Sequence, residues 1–456
     1  MSLEQDTIAA IATAAGVGGV GIVRVSGPHA VEIAEQLVGR GLDRGVRVGW
    51  ARDANGARID QVLAFAMRGP KSFTGEDVAE LQGHGGAQNL ASLLAAVLER
   101  GARLAEPGEF TRRAVLNGKL DLVRAEALLG VIHAGSERSL RLAQANLSGR
   151  LGEVAAELEQ RVLSVLAEIE GRIDFPDDDL GEEEARVVDS ELCLLAARTD
   201  ELAGGFRHGR AVQHGITVAL VGAVNAGKSS LLNALVGNER AIVAPEPGTT
   251  RDYLEAATVW NGVAVTLIDT AGLRPTADAI EARGIELGSR RVESADVVVV
   301  VNDGGFAWDD GARYAERAIV VRSKSDLSGA SEESGSEVKS GSGSGSGSES
   351  GSGVVLTSAL TGAGLDALKG RVLELAGIAA AEGAEDAFIT TERQHATMVV
   401  ARDALAAAVA ARAARGVSEV VALELRQAAG ALAQLRGTEV GDRVLDEVFA
   451  RFCIGK

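Results

Sequence analysis

The feature that most restricts what this chain can fold into is Gly222-Ala223-Val224-Asn225-Ala226-Gly227-Lys228-Ser229. It fits the phosphate-binding pattern G-x-x-x-x-G-K-[ST]. The apolar run Ile216 to Val221 precedes it and the helix-like Ser230 to Leu235 follows. Strand, glycine-rich turn and helix N-terminus together point backbone N–H groups at phosphate oxygens. Lys228 supplies a point charge for the β- and γ-phosphates, and the Ser229 hydroxyl can ligate Mg²⁺. Asp269-Thr270-Ala271-Gly272 lies downstream at the spacing of a second phosphate-side loop. These residues imply nucleoside triphosphate binding on an α/β sheet.

The base is read from Ser323-Lys324-Ser325-Asp326, after the strand-like Ala318 to Val321. Asp326 can accept two hydrogen bonds from the N1–H and exocyclic amine of guanine, which adenine does not offer. Ser323 stands where Ras-like enzymes carry Asn, and its short hydroxyl is expected to hold the loop less well. Ser358-Ala359-Leu360 fits the loop whose backbone N–H meets the base carbonyl. GTP is therefore the expected ligand, with Ala226, Gly227 and Ser230 completing the phosphate cradle. Gly248-Thr249-Thr250-Arg251-Asp252 occupies the place of a switch loop. Thr250 is expected to complete the Mg²⁺ shell, Asp269 to hold it through a water, and Gly272 to meet the γ-phosphate by its N–H. The residue after Asp-x-x-Gly is Leu273, which cannot orient an attacking water as a Gln does. Either hydrolysis is very slow or another group takes that role.

With 456 residues the chain has length for two to four domains. Hydrophobic residues make up 46% and aromatics 3%, so the cores must be built from Ala, Val, Leu and Ile. A net charge of −18 argues against wrapping nucleic acid by bulk electrostatics. Two cysteines, Cys193 and Cys453, imply no disulfide framework. The first residues lack a secretion-signal pattern, and no apolar run approaches the ~20 residues that span a bilayer. A cytoplasmic protein without a membrane association is expected.

The predicted architecture is multidomain α/β plus α. Residues 1–118 mix short strands with helices, as in Val20 to Val25, Ala30 to Leu37 and Gln88 to Arg100. Residues 119–210 are helical: Leu151, Val154, Leu158, Val162, Val165, Ile169 and Ile173 fall on one helical stripe. The nucleotide domain, a Ras-like unit with a mostly parallel sheet, is placed at 211–379. Within it, 328–353 is a Ser/Gly-rich stretch expected to be disordered. Residues 380–456 return to alanine-rich helix, so the nucleotide domain reads as an insertion between two helical segments that pack together.

A family resemblance rests on Asn225, Gly248 to Asp252 and Asp269 to Arg274, on Asp6 to Ala9 with Gly18 to Gly27, and on Ser72 to Gly86. Pro107 to Phe110, Asn117 to Leu122 and the terminal Phe452-Cys453-Ile454-Gly455-Lys456 extend it. Together they resemble the MnmE (TrmE) family of potassium-activated GTPases from end to end.

The resemblance implies a homodimer, with K⁺ held by Asn225 and by the loop residues Ala244, Glu246 and Thr249. It implies that Glu281 orients the attacking water. For the N-terminal domain it implies dimerisation and binding of 5-formyl-tetrahydrofolate or another one-carbon tetrahydrofolate, at Arg24, Glu80, Lys119 and Lys456. It gives Cys453 a role in modification of the wobble uridine of tRNA, together with MnmG, an FAD-dependent partner. His84, in Gly83-His84-Gly85-Gly86, has either a turn-capping or a catalytic role. Ala14-Ala15-Gly16-Val17 departs from the family's Pro-Pro-Gly-Arg, and Val224 from its Pro. The competing readings are an RNA-affinity switch toggled by GTP and a folate-dependent aminomethyltransferase. No basic, aromatic-interleaved stretch supports the first; the intact phosphate and Mg²⁺ residues oppose the second.

Overall fold

The computed structural model describes residues 6–42, 45–174, 182–223, 225–237, 255–269, 291–302, 314, 316–326, 354–378, 388–414, 417–438 and 441–456. The chain divides into one unit of residues 1–129, 152–195 and 403–456, and another of residues 130–151 and 196–402.

In the first unit, a six-stranded sheet has the order β3-β4-β5-β2-β1-β6. Its strands are β1 (Ile8–Ile11), β2 (Gly18–Ser26), β3 (Arg47–Arg52), β4 (Arg58–Met67), β5 (Val78–Gly85) and β6 (Arg103–Leu104). Neighbours pair antiparallel except β1 with β6. Alternation along β2 decides the faces. Val23 and Val25 are buried in a core shared with α1 (Ala30–Val38) and α2 (Ala87–Leu98). Arg24 takes the opposite face, in register with Glu80 of β5. On that face Ile8, Ala10 and Ala105 pack with Phe110 of α3 (Glu109–Leu116).

Glu109 is buried, and its carboxylate accepts from Arg103, Arg113 and the Glu106 N–H at 2.7–3.0 Å. Burial pushes its pKa up, but the bonds from Arg103, from the Glu106 N–H and from Arg113 outweigh this and hold it below the usual value. A depressed carboxylate pKa stabilises the fold above the unfolded value of about 4.3 and stops doing so as pH falls through the folded one. Glu109→Gln is therefore expected to cost about 1–3 kcal/mol at neutral pH. Its thermal midpoint should also fall less steeply than the wild type's between about pH 5 and pH 3. Parallel midpoint-against-pH curves in calorimetry would refute the assignment.

The helical part of this unit holds most of the 25-residue α6 (Arg150–Asp174). Leu151, Leu158, Val162, Val165 and Ile169 form its buried stripe, and each buried side chain contributes about 1.5–3 kcal/mol. Val154 and Ile173 of the expected stripe are only partly buried. Also present are parts of α7 (Glu182–Gly204) and α11 (Glu392–Ala413), with α12 (Ser418–Arg436) and α13 (Asp442–Phe449). Glu159 and Glu170 of α6 pair with Arg436 and Arg426, and Asp189 of α7 with Arg412. Helices from before and after the nucleotide region are thus joined within one unit.

The second unit carries a six-stranded sheet of order β12-β11-β10-β7-β9-β8. The strands are β7 (Ile216–Gly222), β8 (Glu255–Trp260), β9 (Val263–Asp269), β10 (Val297–Asn302), β11 (Ala318–Arg322) and β12 (Val355–Leu356). All pairs are parallel except β8 with β9. A parallel sheet covered on both faces needs strands apolar on both sides. The run Val297 to Val301 meets this, its alternate residues feeding two separate cores. Leu142 of α5 (Glu137–Ser148) and Ala211 and Val212 of α8 (Phe206–His214) belong to the larger core. α5, assigned from sequence to the helical segment 119–210, falls in the same compact unit as this sheet, and α8 crosses the boundary expected at 210. The Ser/Gly-rich stretch 328–353 lies outside the described residues. No helix among the described residues is long and apolar enough to cross a membrane.

Candidate functional site: a nucleotide cradle and an arginine–glutamate pair

In an open α/β sheet, ligands bind beyond the carboxyl ends of the strands, where neighbouring connections diverge. β7 sits at such a point, between β9 and β10. Its last residue, Gly222, has φ 146, and a Cβ there would strike the carbonyl of Val301. The turn continues through Asn225 at φ 65 and Gly227 at φ 93 into α9 (Lys228–Val236). Asn is among the few side chains that tolerate the left-handed region.

Lys228 is buried, and its Nζ donates to the carbonyls of Gly222 (2.9 Å) and Ala223 (2.7 Å). Burial lowers its pKa, and Asp269 opposes that shift. A desolvated ammonium aimed along the loop gains most from phosphate oxygens. Ser229 Oγ donates to Asp269 Oδ2 at 2.6 Å, with Asp269 buried at the end of β9. This hydroxyl and carboxylate are hard oxygen donors that suit Mg²⁺, which takes few protein ligands and completes its octahedron with phosphates and water. No group of three or more His, Cys, Asp or Glu able to hold a metal occurs among the described residues. The expected partners Thr249, Thr250, Thr270, Ala271 and Gly272 lie outside those residues, as do Ala244, Glu246 and Glu281.

The base side is fully described. Ser323 Oγ donates to the Ala226 carbonyl at 2.6 Å, so the short side chain does reach the phosphate loop. Lys324 Nζ donates to the Asn225 carbonyl at 2.8 Å. Ser358 Oγ donates to Asp326 Oδ1 at 2.6 Å, leaving that carboxylate with acceptor capacity toward a base edge. Gly227, Ser230, Lys324, Asp326, Ala359 and Leu360 line a cavity of about 290 Å³. The structure thus brings Asn225, Ala226, Gly227, Lys228, Ser229, Ser230, Asp269, Ser323, Lys324, Asp326, Ser358 and Ala359 to one side of the sheet.

In the other unit, Arg24 Nε donates to Glu80 Oε1 at 2.9 Å. The Arg24 guanidinium lies 5.8 Å from the ring centres of both Phe73 and Phe110. Glu80 is 7% exposed, and its other oxygen accepts from the Gln82 amide at 3.5 Å. Lys119 Nζ donates to the Pro70 carbonyl on the loop that carries Phe73. The C-terminus returns to this sheet. Ile454 bridges to Pro107, and Gly455, at φ 95, abuts the Ile11 carbonyl, next to the Ala10–Arg24 pair. Cys453 is exposed there and Lys456 partly buried. His84 is not in a turn: it lies on β5, where Asp60 accepts from its backbone N–H (2.8 Å) and bonds its Nδ1 (2.7 Å).

Residues 122–453 match the family model described as MnmE helical domain, and residues 7–119 match GTP-binding protein TrmE N-terminus. The chain belongs to the MnmE family. It is 41% identical to a protein of Symbiobacterium thermophilum named tRNA modification GTPase MnmE, over 100% of both chains. A protein of that name from Azoarcus sp. is 42% identical over 99% of this chain and 98% of its own. Another, from Geobacter metallireducens, is 39% identical over 99% of each. Family membership, with the phosphate loop and Asp326 in place, makes the chain a GTP hydrolase.

Sequence reasoning missed three features. Phe73 and Phe110 flank Arg24, and Asp60 with Asn89 fixes His84. The buried Arg113 and Glu109 form a charge network with the half-buried Glu76. Phe73 and Glu76 were within a motif read from the sequence, but nothing in the order of residues shows which strand they meet.

Proposed function

We propose that this chain is a K⁺-activated GTPase that works as a homodimer with MnmG on tRNA, installing the carboxymethylaminomethyl or aminomethyl group at carbon 5 of the wobble uridine. The observation that carries the reading is the coexistence, in a chain resembling MnmE proteins along its whole length, of a base-reading Asp326 held by Ser358 and the Arg24–Glu80 pair. In this reading the domains are 1–118, 119–210, 211–379 and 380–456, with α5 of the second packed into the core of the third, and the protein is cytoplasmic.

Lys228 and the loop N–H groups bind the phosphates, and Ser229, Thr250 and, through a water, Asp269 hold Mg²⁺. Glu281 orients the attacking water in place of the Gln that Leu273 displaces. K⁺ beside Asn225 neutralises charge developing on the phosphates. In the N-terminal domain, the Glu80 oxygen that Arg24 does not engage suits a pterin amine and ring N–H, and Lys119 and Lys456 suit carboxylates. The folate supplies a one-carbon unit when bound. The sheet face away from α1 and α2 exposes Val48, Trp50 and Leu63, an apolar surface suited to a second copy.

The test is steady-state GTP hydrolysis in K⁺ against Na⁺ at equal ionic strength, for wild type and Glu281→Ala. A rate at least tenfold higher in K⁺, lost in Glu281→Ala, is expected. Equal slow rates in both salts sink the cation mechanism. Modification of tRNA in the presence of MnmG then tests the reaction itself.

A further inference from the structure

Arg24 can serve a ligand only if its guanidinium is held still between Glu80, Phe73 and Phe110. Phe110 is fixed by α3, but Phe73 lies on the segment between β4 and β5 and needs its own anchor. Two buried hydroxyls and the half-buried Glu76 supply one. Ser26 Oγ lies 2.8 Å from Thr74 Oγ1 and donates to Glu76 Oε2 at 2.7 Å. The Glu76 backbone N–H donates to Thr74 Oγ1 at 3.3 Å, and Arg113 Nη1 donates to both Glu76 oxygens at 3.3 Å.

A carboxylate only accepts, so these bonds have one consistent direction. Glu76 N–H donates to Thr74, the Thr74 hydroxyl to Ser26, and the Ser26 hydroxyl to the Glu76 carboxylate. The ring closes on itself. Ser26 and Thr74 are both 0% exposed, and Arg113 is 5% exposed. Ser26 and Arg24 are alternate residues of β2 and share a face. The ring therefore registers the residue next to Phe73 against the strand that presents Arg24. Burying such charges does not in itself stabilise a fold; a positional role accounts for it.

We propose that Thr74 and Glu76, with Ser26 as the link, are positioning residues for the Arg24–Glu80 folate site. This rests on the folate reading above. Thr74→Val keeps volume and removes one hydroxyl, whereas Thr74→Ser keeps the hydroxyl. Calorimetric titration of the full-length chain with 5-formyl-tetrahydrofolate is expected to show about tenfold weaker binding for Thr74→Val. Thr74→Ser should stay within about twofold of wild type, and both variants should hydrolyse GTP at the wild-type rate. Should Thr74→Val fail to fold, Ser26→Ala breaks the same ring and carries the same expected loss. Equal affinity of wild type and the folded ring-breaking variant overturns the positioning role alone. No binding by wild type overturns the folate reading and this inference with it.

Discussion

Lys228→Ala is expected to lower GTP hydrolysis by on the order of 10²- to 10³-fold and to weaken GTP binding as well. The ammonium is 6% exposed and already desolvated, its two nearest acceptors being loop carbonyls at 2.9 and 2.7 Å. Phosphate binding exchanges those neutral acceptors for charged oxygens in a site of low dielectric, where a positive charge acts more strongly than in water. No other described cation donates to the Gly222 or Ala223 carbonyl, so nothing takes its place. Lys228→Arg should rescue poorly, because a planar fork is too large for a site framed by Gly222 and Gly227. Single-turnover kinetics separate the effects: a fall in rate at saturating GTP reports lost transition-state stabilisation. A variant with wild-type rate and affinity would remove Lys228 from the phosphate site.

The nucleotide site was legible because its chemistry is written in contiguous segments. A phosphate loop needs its glycines, lysine and hydroxyl within eight residues, and the flanking strand and helix are its neighbours in sequence. The mostly parallel sheet was expected from the Ras-like reading of the phosphate loop, and the unbroken apolar run Val297 to Val301 is the strand that it buries on both faces. The N-terminal site was legible only through resemblance. Arg24, Phe73, Glu80 and Phe110 come from four elements whose meeting depends on β-sheet register. Composition says nothing about register. Ser323 shows the opposite limit. The missing Asn was visible, but only the approach of the two loops shows a hydroxyl reaching the Ala226 carbonyl. Of the two roles the sequence left open for His84, the turn-capping one fails for a similar reason: glycines on both sides suggest a turn, yet they serve close packing along β5. A Cβ on Gly83 would meet Asp60, and one on Gly85 the carbonyl of Gly18.

Asp326→Asn is expected to change which base the enzyme prefers. Asp326 lies in the base cavity with one oxygen engaged by Ser358 at 2.6 Å, which fixes the rotation of its carboxylate. As a carboxylate it can only accept, and guanine presents two donors on that edge, N1–H and the exocyclic amine. An Asn at this position presents one acceptor and one donor. The donor then faces the guanine amine, and two donors cannot pair. Loss of a charge-assisted bond and one unpaired donor together amount to about 3–4 kcal/mol, a fall in GTP affinity on the order of 10²- to 10³-fold. Xanthine carries a carbonyl where guanine carries the amine, so it suits the Asn edge and not the Asp edge. Competition of GTP and xanthosine triphosphate for wild type and Asp326→Asn should therefore show the preference reversed. The phosphate contacts are untouched, so the variant should hydrolyse saturating xanthosine triphosphate within about tenfold of the wild-type rate on GTP. An unchanged preference would mean that the base is read elsewhere than at Asp326.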